Sequence, residues 1–376
     1  MISISVLSSQ EELQALAPEW QRLFGAMTLR TPSKSPLWQL TWWKHFGARP
    51  SALARHEMRV FVLRDDGGQL VAVAPMMRTR RPGFGPGLFS ELQFFGADPY
   101  VTQLRGPVCR RERLPEVCAR LAAHVKTLQD CDFVQWRGMA PGSSREDCIV
   151  QPQLEDVDSV LPMAESWDAF HAALPKKTRK HLRKSQNDLC ADNVHYAFGV
   201  TTAPEAACDS LQRFYALHAR RAALKDVTSH PNVFDGARSR AFLDDYCGRM
   251  ACNGDLRLFE IRVGGEIVAI RLGFALGDEL YLYFSGYDPD YGRYSIMTTL
   301  MAETLRWAHE QNVRLVNLSS GIDRSKTRFR PELVTTEGFY TRGAGWRGAL
   351  ALPLLRRLRH GARPVAEPDA DDCVEA

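Results

Sequence analysis

Three short segments carry the residue types and spacings that could do chemistry. The first is Ser319-Ser320-Gly321-Ile322-Asp323-Arg324-Ser325-Lys326-Thr327-Arg328-Phe329-Arg330-Pro331, which follows the β-rich run RLVNL. Ligands in open α/β sheets sit where strands end. This end offers a carboxylate, a lysine and three arginines within eight residues. Asp323 is the candidate base or acceptor-orienting carboxylate, and Lys326 and Arg328 are candidates to hold negative charge on an acceptor or on a developing oxyanion. A surface loop with ordinary charges would read the same way.

The second segment, Lys176 to Lys184, has seven basic or histidine positions in nine residues. Leu174, Leu182 and Leu189 share one helical face, which leaves a basic arc that includes Arg179 and Arg183. That arc suits a phosphate-rich ligand, and it is also what a solvated helix face looks like. The third runs from the strand Glu279–Phe284 through Ser285–Ser295 into a helix near Ile296. Ser295 is the expected N-cap, so free N–H groups and the positive helix end would face the loop. Phosphate binds in such places. The predicted anion-binding residues are Arg293, Tyr294, Ser295 and Ile296.

Recurring elements position these segments. Arg59–Leu63, the turn Asp65-Asp66-Gly67-Gly68 and Leu70–Met77 read as a β-hairpin, as do Leu256–Val263, Gly264-Gly265 and Glu266–Phe274. Each is followed further on by an amphipathic helix and a short strand. The helices run Leu114 to Leu128 and Met297 to Ala308, and the strands end at Gly138 and Gly321. Hairpin, helix and strand in the same order in both halves predict a duplicated α/β unit. The boundary is expected in the turn-rich and acidic stretch Pro141–Pro162. This predicts lobes over 1–160 and 161–345 and a basic, then acidic tail over 346–376.

Length alone calls for two packed units. With 45% hydrophobic and 24% charged residues the composition is that of a folded globular chain. A net charge of +4 is too small to mark a nucleic-acid binder, and no specific nucleic-acid partner is expected. The nine cysteines form no C-x-x-C pair and the ten histidines no H-E-x-x-H, so no metal site is expected. The opening MISISVLSSQ lacks a signal pattern and no apolar run approaches a membrane span. The expected location is the cytoplasm, with reduced thiols.

The order of hairpin, Y-x-Y-F-S-G-Y-D-P-D-Y (Tyr281–Tyr291), long helix, L-V-N-L-S-S-G-I-D (Leu315–Asp323) and K-T-R-F (Lys326–Phe329) resembles the BioF2-like, or CelD-like, acetyltransferase domain of the GNAT and FemAB superfamily. Upstream, Leu37–Trp43, Ala74-Pro75-Met76 and Leu92–Gly96 resemble that family's N-terminal lobe, and Thr178–Lys184 resembles the basic helix opening its second lobe. The resemblance spans roughly residues 35 to 335. It implies an α/β fold of two tandem GNAT-like lobes with mixed sheets flanked by helices. It also implies acetyl-CoA or another acyl-CoA as co-substrate, and a small-molecule or saccharide acceptor. In the FemAB branch a lysine after an aromatic residue is tied to catalysis; Lys326 stands there, with Ser325 in the aromatic position. Tyr283 and Tyr287 of the first motif join Arg179, Arg183 and Arg328 as candidate substrate contacts.

The leading expectation is an acyl-CoA-dependent N- or O-acyltransferase acting on a sugar, lipid-linked sugar or amine in envelope or exopolysaccharide assembly. The rival enzyme is an aminoacyl-tRNA-dependent transferase, which the basic segment would suit. A third expectation is a non-catalytic scaffold of a membrane-bound synthase, docked through the basic stretch at residues 352–360.

Overall fold

A computed structural model describes residues 2–344 except 49–50, 86, 99, 144–147 and 225–230. The expected tail over 346–376, with the docking stretch at 352–360, lies outside the described residues. The first half of the chain forms β1 (Ser3–Leu7), α1 (Gln10–Gly25), α2 (Pro36–Trp42), β2 (Arg55–Arg64), β3 (Leu70–Arg81), β4 (Phe89–Phe94), β5 (Val108–Cys109), α3 (Leu114–Val125), β6 (Phe133–Met139) and β7 (Cys148–Pro162). The second half forms α4 (Trp167–Ala173), α5 (Lys176–Ala191), β8 (Tyr196–Thr201), α6 (Pro204–Ala222), α7 (Ala237–Cys252), β9 (Leu256–Val263), β10 (Glu266–Leu276), β11 (Glu279–Tyr287), α8 (Ile296–Glu310), β12 (Leu315–Ser320), α9 (Arg324–Thr327) and β13 (Glu332–Arg342).

The chain divides into two compact units, Met1–Val157 with the segment from Thr335, and Asp158–Val334. In the first, β1, β2, β3 and β4 pair antiparallel in that order, β4 pairs parallel with β6, and β6 pairs antiparallel with β13. Helix α1 starts on a capping box in which the Ser9 hydroxyl and the Glu12 carboxylate each accept from the other's backbone N–H, at 3.2 and 3.1 Å. One sheet face packs Phe61, Met76, Phe94, Trp136 and Phe339 against Val117 and Leu121 of α3.

The second unit repeats this connectivity. Strands β8, β9, β10 and β11 pair antiparallel, β11 pairs parallel with β12, and β12 pairs antiparallel with Asp158–Pro162 of β7. In both units two helices separate the first two strands, and one helix separates the two parallel strands. The hairpins and the helix-strand pairs recur at the residues the pattern predicts. The predicted linker Pro141–Pro162 holds strand β7, in which Ser159, Val160 and Leu161 are buried against β12. The strand Glu332–Arg342, which the sequence assigned to the second lobe, pairs through Glu337–Arg342 with β6 in the first unit.

Two layers of helices sandwich the second unit's sheet. Leu182 and Leu189 of α5 and Leu300, Met301 and Leu305 of α8 cover Phe259, Ile261, Leu280, Leu282, Val316 and Leu318. The basic segment therefore does form an amphipathic helix, docked by its leucines. On α6 and α7, Phe214 packs on Phe234, and Tyr246 packs edge-on against Phe274 of β10 at 5.2 Å. Helix α6 comes so close to β11 that a Cβ on Gly286 would run into the backbone nitrogen of His218 and lie 2.7 Å from the Leu217 carbonyl carbon. Among the described residues no helix is long and apolar enough to cross a membrane.

Candidate functional site

The parallel strands β11 and β12 are paired only over Glu279–Tyr281 and Leu315–Asn317. Beyond that they part, and the opening lies between Leu282–Tyr287 on one side and Leu318–Ser320 on the other. Both strands are irregular there. One extra residue in β11 opposite Arg271–Gly273 makes a bulge at Tyr283-Phe284, and Ser319 takes a left-handed φ of 68°. Strain of this kind persists only where the surroundings enforce it. Here the Asn317 side chain accepts from the Ser319 N–H at 2.8 Å.

Lys326 closes the β12 side. Its side chain is 12% exposed, and its Nζ donates to the Ser320 carbonyl and lies 3.7 Å from the Asp323 carboxylate. Burial pulls its pKa below the usual lysine value, opposed by Asp323 and reinforced by Arg271. Asp323 is the N-cap of α9 and accepts from the Ser325 N–H at 2.9 Å and from the Ser325 hydroxyl. Burial opposes its ionisation, but the Ser325 hydrogen bonds and the charge of Lys326 prevail and hold its carboxyl below the usual range. A carboxyl so stabilised as the anion is a weak base, and its geometry fits the orienting role better.

Gly321, between Ser320 and α9, has φ of 105°, and a Cβ there would lie 3.5 Å from Lys326 Nζ. The methyl would meet Lys326 only at ordinary contact distance, so G321A is expected to act through the left-handed backbone, at a cost of about 1–3 kcal/mol, and to shift the loop that carries the lysine. Chemical denaturation and turnover, measured together, test this; unchanged turnover would mean that the loop tolerates the shift.

A second group gathers where α8 begins. Ser295, with φ of 52°, is the cap residue, but its side chain makes no capping bond, and its own N–H donates to the Gly292 carbonyl at 2.9 Å. The Thr298 N–H turns back to the Ser295 carbonyl at 2.7 Å, which leaves the N–H groups of Ile296 and Met297 to an external acceptor while the Ile296 side chain is core. Arg328 donates to Thr298 Oγ1 at 3.2 Å, and His181 Nε2 lies 3.4 Å from the same oxygen. Burial lowers the pKa of Arg328, as does Arg324; burial, then Arg328 and Lys184, lower that of His181. Crowded cations at a helix N-terminus suit a phosphate or pyrophosphate. Arg179 stands half-buried in the first turn of α5, and Arg183 is exposed on the same helix.

The structure thus gathers Asp323, Lys326 and Arg328 with the start of α8, and Tyr287 lies 6.0 Å beneath the Arg221 guanidinium. Three predicted residues point elsewhere. Arg293 is 71% exposed and pairs at 3.2 Å with Asp192 at the end of α5. Tyr294 is core and bonds the same carboxylate at 2.7 Å. Tyr283 is buried, packed on Phe274 and Phe284. The sequence missed Arg221 of α6, which donates to Ser285 Oγ beside the opening, and Arg271 of β10, which pairs in register with the same serine. Among the described residues no group of three or more His, Cys, Asp or Glu is placed to hold a metal ion.

Residues 176–327 match the family model described as the acetyltransferase (GNAT) domain. Among solved structures the chain is similar to a crystal structure of FemX, at 8% identity over 94% of this chain and 99% of that one, with a TM-score of 0.57. It is also similar to the C-terminal domain (DUF2156) of a putative lysylphosphatidylglycerol synthetase from Agrobacterium fabrum, at 15% identity over 96% and 100% of the two chains, with a TM-score of 0.50. At these identities the likeness is one of fold. No curated protein matches the chain. The family match falls on the unit that holds the parted strands and both cation groups, and that unit has the fold of a GNAT-type transferase domain.

Proposed function

We propose that the protein is an acyl-CoA-dependent acyltransferase of the BioF2-like kind, delivering an acyl group to an amine or hydroxyl of a sugar-type acceptor. The observation that carries this reading is the opening between β11 and β12, with Lys326 at one wall and the uncapped start of α8 at the other. Bound there, a CoA thioester would supply the activated acyl group. The N–H groups of Ile296 and Met297, with Arg328 and His181, would hold its phosphates, and Arg179 would flank them. Asp323 would orient the acceptor, and Lys326 would stabilise negative charge on the carbonyl oxygen under attack. The sugar-type acceptor, and a place in envelope or exopolysaccharide assembly, rest on the sequence resemblance.

The test is thermal unfolding with acetyl-CoA, free CoA and longer acyl-CoAs. A ligand at 100 times its Kd adds about 2.7 kcal/mol, and a rise in Tm with one thioester is the expected result. A flat response to all of them would overturn the donor. The basic face of α5 supports one other reading, an aminoacyl-tRNA donor. Lys176, Lys177, Lys180 and Arg183 are exposed there, and among the described residues none has an ion-pair partner. Binding of charged tRNA in the absence of any CoA response would favour it.

A further inference from the structure

Arg271 is in an unusual position for an arginine. It lies in β10 among Ile270, Leu272 and Phe274, it is 9% exposed, and among the described residues its Nε has no hydrogen-bond partner. Its register partner across the ladder is Ser285 of β11, at the rim of the opening. The Ser285 hydroxyl accepts from Arg221 of α6 at 3.0 Å, which leaves its own proton free to donate. Helix α6 is clamped in place: His218 Nδ1 donates to the Ser285 carbonyl at 3.0 Å, and Arg220 pairs with Asp288 at 2.5 Å. One guanidinium is thus bonded to this serine from a locked helix, and a second arginine stands opposite the serine in the ladder.

Burial and then the Arg221 charge, opposed by Asp323, together push the Arg271 pKa down to about 10. Arg221 is likewise lowered by burial, with Tyr287 and Asp323 opposing. Lys326 feels Arg271 as a neighbouring cation and Asp158 as an anion. Three cations therefore share this end of the strands with two carboxylates, and a buried guanidinium without a bonded partner is a costly group to keep. Planar guanidinium forks bind carboxylate and phosphate oxygens in pairs.

We propose that Arg271, Arg221 and the Ser285 hydroxyl form a subsite for an oxyanion, a carboxylate or a phosphate, carried by the acyl acceptor. It is a different group from the cations at the start of α8, which would hold the donor's phosphates. The subsite makes the acceptor an acidic molecule, fixed by its anion while Lys326 meets the reacting centre. The assignment to the acceptor rests on the acyltransferase reading; the anion site itself does not.

The experiment is thermal unfolding of the full chain titrated with inorganic phosphate or with acetate, at ionic strength matched by chloride, for the wild type, R271Q, R221Q and the double variant R179Q/R183Q. A saturable rise in Tm is expected with one of the two anions, and which one identifies the group. It should vanish in R271Q and R221Q and persist in R179Q/R183Q. Persistence in R271Q would overturn the subsite, putting the ion on α5 if the double variant loses the response and at the start of α8 if it does not, as would a flat wild-type response to both anions. In chloride alone, R271M, which removes a buried charge with no bound anion to offset it, is expected to unfold about 2–4 °C higher than the wild type. A lower Tm would mark Arg271 as structural and also overturn the proposal. Acetyl-CoA binding by R271Q should match the wild type. If neither binds acetyl-CoA while phosphate or acetate still acts through Arg271, the donor reading falls and the anion site stands.

Discussion

The variant K326A is expected to lower kcat by about 10²–10³-fold, the effect of removing one donor aimed at a developing oxyanion, while leaving Tm close to the wild-type value. Lys326 sits at the mouth of the opening rather than in the hydrophobic core, so its removal should not unfold the unit. The pH profile separates its roles. As a cation it works only while protonated, so activity should fall as pH rises through its folded pKa, which burial sets below the usual 10.5. K326R keeps the charge and should move that fall to higher pH. A base at this position would instead make activity rise with pH. Stability carries the same signature. Between the lowered folded value and 10.5 the unfolded chain binds more protons, so stability should increase with pH across that window. The cost of burying the charged lysine is present in full below the window and gone above it, and K326A should lose that slope.

The second large effect is expected from G286A. The added methyl would meet the backbone of α6 at His218 and Leu217, and neither can yield as the end of a flexible side chain would. Moving α6 means breaking the His218 and Arg221 bonds to Ser285. Overpacking of this kind costs about 1–3 kcal/mol, or roughly 2–4 °C in Tm for each kcal/mol in a unit of this size. Because α6 carries Arg221, the variant should also lose the response to phosphate or acetate at temperatures where it remains folded. Denaturation by urea gives the first quantity and anion titration the second. An unchanged urea midpoint would mean that the helix does not press on β11 as tightly as the structure has it.

Local pattern was enough for the elements whose signal is local. The two hairpins follow from alternating runs closed by Asp-Gly and Gly-Gly turns, and α5 and α8 follow from leucines at helical spacing. The recurrence of hairpin, helix and strand foretold the repeated connectivity. Helices α6 and α7 went unread because their buried faces mix Tyr, His, Ser and Cys with apolar residues, which blurs the periodicity. The strand character of β7 was masked by its acids and prolines, and is stabilised by a ladder with β12, far away in sequence.

For the site, the sequence by itself determined which residues can carry charge and that Asp323, Lys326 and Arg328 follow a strand. Their neighbourhood in the chain guarantees their neighbourhood in space. It also held one legible sign that was passed over, a single arginine inside the apolar run of β10. Only the tertiary structure decided which cations meet. Arg293 is next to the start of α8 in sequence yet turns to Asp192, because a carboxylate on α5 lies within its reach. Arg221 is some fifty residues from Arg271, and they converge because α6 packs on Gly286 and hangs its arginine over Ser285. Side-chain direction on a helix is set by what the helix packs against, and that contact has no signature in the local sequence.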